Sequence, residues 1–181
     1  MRSQTTKLTA LFSAIVFAVA LGCGGDDEEN GNGNNDSNGN GSGGEASFQI
    51  SGDIEGEKSG HAALIPDPNI DSVQLAISDL GPQTFSLTFI QQGTSEVPSE
   101  GEYSVGGPTT SDFHATYVDV EGDATEYSEF TEQAGTLEFT SSSETSVSGT
   151  FELTLPIMGE GIEAGEGEIV ITEGEFTAVV D

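Results

Sequence analysis

From Ala46 to Asp181 apolar and polar residues alternate with a period of two almost throughout. Phe48, Ile50 and Ile54 alternate with Gln49, Ser51 and Asp53; Val73, Leu75 and Ile77 with Gln74 and Ser78; Phe85, Leu87 and Phe89 with Ser86 and Thr88. Successive side chains of an extended chain point to opposite faces, so these runs read as half-buried antiparallel strands. Leu137 and Phe139 continue the pattern, "SSSET" at 141–145 turns, and Val147, Phe151, Leu153 and Leu155 then share one side, which predicts a hairpin. Tyr103 with Val105, and Phe113 with Tyr117, predict shorter strands between them. No stretch offers a helical face with caps.

The final run, "GEIVITEGEFTAVV", breaks its own rhythm. Buried parity is odd at Ile169 and Ile171 and even at Phe176, Ala178 and Val180. A one-residue bulge at Gly174, with glycine supplying the backbone freedom, restores the parity and keeps Glu173 and Glu175 out of the core. A tight hairpin at Glu173-Gly174 meets the same demand by setting Ile171 opposite Phe176, and the bulged single strand is preferred. Eight to ten short strands joined by glycine- and proline-rich connections make residues 46–181 one all-β domain, an antiparallel β-sandwich or a closed β-barrel. Its 136 residues are enough to bury roughly two-thirds of the unfolded surface.

The first 45 residues follow a different grammar. Arg2 and Lys7 precede an uncharged apolar run, Leu8 to Gly22, too short to span a bilayer but right for a secretory signal. It leads into Cys23, the only cysteine, preceded by Ala20, Leu21 and Gly22. This arrangement resembles the bacterial lipoprotein signal, although that family more often has leucine at the first of the three positions and a small residue at the second. The resemblance implies cleavage before Cys23 and acylation of its sulfur and amine, so residues 1–22 are expected to leave as a signal peptide. An ordinary secretory signal with a leftover thiol is the alternative. One cysteine allows no internal disulfide, and stable anchoring needs more than one acyl chain, which the family supplies.

Residues 23–45 then form the acylated cysteine and a tether. Gly24 to Glu45 holds no apolar residue and is rich in glycine and asparagine, so it cannot offset the entropy of ordering itself. As a flexible coil it reaches about 25 Å on average. Asp26, Asp27, Glu28 and Glu29 are repelled by anionic headgroups. An acidic patch just after the acylated cysteine is similar to the signal by which some bacteria export lipoproteins to the cell surface, and Gly24 is not the aspartate associated with inner-membrane retention. The expected location is therefore the cell envelope, in the outer membrane and facing outward.

Charge narrows the partners. Once the signal is gone, Lys58 alone faces 32 carboxylates, a net charge of −31. Nucleic acid is excluded, because phosphate contacts need Lys and Arg. Self-repulsion of this size strains the compact state and is relieved by screening, which points to a saline habitat or to divalent cations at the surface.

A second resemblance covers about half of the β domain. "GTLEFTSSSETSVSGTFELTLP" (135–156), "VITEGEF" (170–176) and "PSEGEYSV" (98–105) look like the strand-and-turn motifs of small β-rich bacterial lipoproteins of unknown function. It implies an extracytoplasmic β domain and brings no activity.

Candidate chemistry is sparse. His61 and His114 are the only histidines, which leaves a zinc site of the usual nitrogen–sulfur type without ligands, and both read as solvated strand or turn residues. No Gly-x-Ser-x-Gly elbow or phosphate-cradling loop is present, so no enzyme is expected. Calcium is the one cofactor the sequence raises. Asp67, Asn69 and Asp71 in "DPNID", and Asp119, Glu121 and Asp123 in "DVEGD", have the alternate spacing that turns several oxygens into a loop. Position 12 of each loop is Ser78 or Phe130 where a bidentate glutamate is needed, and a turn rich in Asp, Asn and Gly is the alternative.

The leading expectation is thus a lipid-anchored structural or binding module with a protein or glycan partner at the cell surface. A barrel carrying a small apolar ligand, or a calcium-dependent carbohydrate or adhesion module, is the alternative. With no Trp and three Tyr, the composition argues against strong sugar binding by stacking. A deep apolar cavity would favour carriage; a solid core would favour a partner.

Overall fold

A computed structural model describes residues 43–79, 84–120, 124–130, 132–158 and 164–181, all within a unit spanning Asn40–Asp181. The described residues contain ten strands and no helix: β1 Glu45–Gly52, β2 Gly56–Asp67, β3 Ser72–Ser78, β4 Phe85–Gln92, β5 Gly101–Gly106, β6 His114–Asp119, β7 Thr125–Ser128, β8 Gln133–Ser142, β9 Ser146–Met158 and β10 Ala164–Val180. Eight of them, in the order β1-β2-β3-β4-β6-β7-β9-β10, close on themselves through β10–β1 pairing. Of the two expected architectures the fold is therefore the barrel. β8 continues from β9, and β5 from β8, outside this ring.

Closure joins the two ends of the domain. β1 is short, and beyond its start at Glu45 its neighbours β10 and β2 meet directly, in parallel, through Val179–Ala63 and Val180–Leu64. Gly44 is pressed into that corner: a Cβ there would stand 2.1 Å from the Thr177 carbonyl oxygen and 2.3 Å from that of Ala62. Its own carbonyl accepts a hydrogen bond from the Ala62 amide at 3.2 Å.

The predicted faces are the buried ones. Val73, Leu75, Ile77, Phe85, Leu87 and Phe89 are all buried, as are Val147, Phe151, Leu153 and Leu155 on β9 after the hairpin at 143–145. β5 and β8, though outside the ring, add Val105, Leu137 and Phe139 to the same core. β2 and β7 give little periodic signal. In β2 the run Ala62–Ile65 is apolar throughout, yet Ala62 and Leu64 are buried while Ala63 and Ile65 are partly exposed; β7 has four residues.

The parity break in β10 is a bulge within one strand. Ile171 pairs Leu153 and Gly174 pairs Phe151, three steps on β10 against two on β9, and the register against β1 shifts at the same place. The positive φ sits at Glu173 (52°), not at the glycine. What requires Gly174 is space, since a Cβ would lie 2.5 Å from the Phe151 ring. The expected reason for the glycine is thus corrected, while Glu173 and Glu175 do face solvent.

Off the ring, Asp112 holds the connection from β5 to β6. Its Oδ2 accepts from the Ser104 hydroxyl (2.6 Å) and the Ser104 amide (2.8 Å). These hydrogen bonds, led by the hydroxyl, hold its carboxyl below the usual carboxylate range against a smaller opposing effect of burial. A depressed pKa contributes stability above the unfolded value and loses it as pH falls through the folded one. Asp112→Asn is therefore expected to lower Tm slightly at neutral pH, with the deficit from wild type closing between about pH 5 and 2. A deficit that stays constant over that range in paired melting curves would refute the assignment.

Candidate functional site

The calcium candidates do not form one site. Asp67, Asn69 and Asp71 share the turn between β2 and β3, where the Asn69 amide and side-chain Nδ2 both donate to Asp67 Oδ1, at 2.9 and 3.0 Å. Asp71 adopts a left-handed φ of 52° and its carbonyl accepts from the Gly93 amide. These are the bonds of an Asx turn. Asp119 ends β6 at the other end of the barrel, and is buried. Glu121, Asp123 and Cys23 lie outside the described residues. Among the described residues no group of three or more His, Cys, Asp or Glu is placed to hold a metal ion.

The barrel interior is filled by its own rings. A continuous aromatic column runs from Tyr103 through Phe139, Phe176, Phe151, Phe48, Phe85 and Tyr117 to Tyr127, successive ring centroids lying 5.5–6.3 Å apart. Eight strands enclose a space just wide enough for side chains or for one small ligand, and here side chains take it. At the Tyr127 end Lys58 turns inward, its Nζ 5.7 Å from the Phe85 ring centre. Burial first, then the charges of Asp53 and Asp119, push the Tyr127 phenol above its ordinary value.

His114 is a partly exposed strand residue, but it is tied down by hydrogen bonds the sequence did not announce. Its Nδ1 lies 3.0 Å from the Gly106 carbonyl oxygen and its Nε2 3.1 Å from Ser128 Oγ, with Phe130 packed on the ring. Ser128 Oγ donates to the Ala115 carbonyl at 2.8 Å and is buried at 4% exposure, so the pair ties β6 and β7 to the end of β5. No sequence spacing announces it, because the partners come from separate strands.

The outside of the barrel carries a hollow lined by residues of several strands. It measures about 860 Å³ and crosses β8, β9, β10, β1 and β2. Cross-strand register explains its shape. One row of outward side chains runs Glu138, Thr150, Glu175, Ser47, Ser59; a second includes Ser148, Thr177 and Glu45, with Thr140 and His61 at its ends. Between them the row Gly149, Phe176, Ala46, Gly60 points inward, so only its backbone paves the floor. Sequence reading missed this site because isolated Ser, Thr and Gly residues look like solvated strand positions until the register aligns them. Elsewhere the surface offers little apolar area: the large apolar side chains exposed among the described residues are Ile70 (68%) and Val120 (38%).

What fold and site define is an acidic, closed β-barrel with a packed interior and a polar groove outside. Compared with known proteins, the chain matches no family, no curated protein and no solved structure.

Proposed function

We propose that the chain is a lipid-anchored cell-envelope protein, held by acylated Cys23 in the outer membrane and facing outward. Its barrel acts there through its outer surface, as a binding and structural module with no catalytic role. The filled interior carries the choice between binding outside and carriage inside: the column from Tyr103 to Tyr127 occupies the space an apolar cargo would need. The anchor is supported by the basic start, the short apolar run and the position of the lone cysteine. The reading does not call on calcium: in the β2–β3 turn Asp67 Oδ1 is engaged by the Asn69 amide and side chain.

The test compares full-length protein with Cys23→Ser in a bacterial host that acylates lipoproteins. Wild type is expected to take up labelled palmitate and to enter the detergent phase, and the variant to do neither. A free thiol on the native N-terminus, seen by mass spectrometry, overturns the anchor. Saturable, stoichiometric uptake of a fluorescent fatty acid by the purified protein overturns the claim that the barrel is not a carrier.

A further inference from the structure

We propose that the outer groove binds an extended glycan chain free of acid groups, a step that rests on reading the barrel as a surface-binding module. The geometry of the two rows comes first. Neighbouring strands lie about 4.8 Å apart and same-face residues along a strand about 7 Å apart. The groove therefore runs across the strands for roughly 20 Å, with a polar side chain on each wall at nearly every strand. That step is close to the length of one pyranose unit, so a linear chain laid along the groove meets a new pair of groups with each sugar.

The chemistry of the walls selects the ligand. Ser47, Thr150 and Thr177 carry hydroxyls that both donate and accept, and Glu45 and Glu175 are acceptors in the middle of the run. Sugar hydroxyls, donor and acceptor at once, complement both sets. An acidic polymer is repelled by Glu45, Glu175 and Glu138, and Lys58, the only Lys or Arg beyond residue 7, points into the barrel. A peptide strand is a poor fit, because the floor residues already spend their backbone groups on cross-strand pairing and β-addition needs a free edge.

Stacking does not contribute, since Phe176 faces the core and is buried. Binding by one domain is consequently weak, and many copies anchored on one membrane would raise it by avidity.

The experiment uses full-length protein in detergent micelles and linear hexasaccharides on a sensor surface: neutral glucose and mannose chains of different linkage, a glucosamine chain and a galacturonate chain. At least one neutral chain is expected to bind at millimolar concentration and galacturonate not at all. Thr150→Arg and Thr177→Arg, at exposed positions, should abolish binding without altering the melting temperature. Glu175→Ala should weaken it by roughly tenfold or more, the loss of a hydrogen bond to a charged group. Glu126→Ala, at an exposed position of β7 paired with Val118 of β6 and outside the groove, should leave it unchanged. Failure of every neutral chain, or binding confined to glucosamine and weakened equally by Glu126→Ala and Glu175→Ala, overturns the proposal. Mass spectrometry of the wild-type N-terminus in the same preparation separates the two readings: wild-type protein that is unacylated yet binds removes the anchor and keeps the groove, whereas acylated protein that binds no neutral chain removes the groove alone.

Discussion

Phe151→Ala is expected to destabilise the domain by about 3–5 kcal/mol. The ring sits where the aromatic column branches, 5.8 Å from Phe48, 5.4 Å from Phe89 and 6.3 Å from Phe176. Its removal leaves a cavity in a closed barrel, whose hydrogen-bonded wall limits how far the neighbours can collapse. Domains of this size are stable by only about 5–15 kcal/mol, so the variant should be partly unfolded at modest denaturant concentration. Urea titration decides it: the midpoint should fall while the slope against denaturant stays the same. A loss under about 1 kcal/mol would mean that the column is not packed as described.

Gly149→Ala is expected to cost about 3 kcal/mol, the upper end for an overpacked site. A Cβ at this position would stand 1.8 Å from the Glu138 carbonyl oxygen and 2.9 Å from the Phe176 ring. The oxygen belongs to the facing strand, so relief requires the β8–β9 ladder to part. Gly93→Ala is the useful comparison. There a Cβ meets nothing within 4 Å and the cost is only that of the left-handed backbone (φ 82°), roughly 1–2 kcal/mol. Equal shifts in Tm for the two variants would contradict the close approach across the ladder.

Much of the fold is written locally, and the reason is parity. Val73, Leu75 and Ile77 report their burial because polar neighbours frame them, and the phase change between Ile171 and Phe176 reports the bulge because a strand cannot change faces without an extra residue. Closure is not written locally. It rests on β1 and β10, more than a hundred residues apart, and no short-range pattern distinguishes a sheet that meets itself from two sheets packed face to face. β2 escapes for another reason: alanine and isoleucine on its outward side hide the alternation. The groove is the least legible feature of all, since Thr150, Glu175 and Ser47 become neighbours only through two independent registers.

The inward turn of Lys58 has a consequence for resistance to proteolysis. Proteases of the trypsin type cut after lysine or arginine, and from Thr9 to Asp181 Lys58 is the single residue that qualifies. Its peptide unit is held in β2 against Phe48 of β1, and its side chain rests over Phe85. A barrel so poor in basic residues presents such enzymes with one recognisable bond, and places that bond where an extended active-site cleft cannot take hold of it.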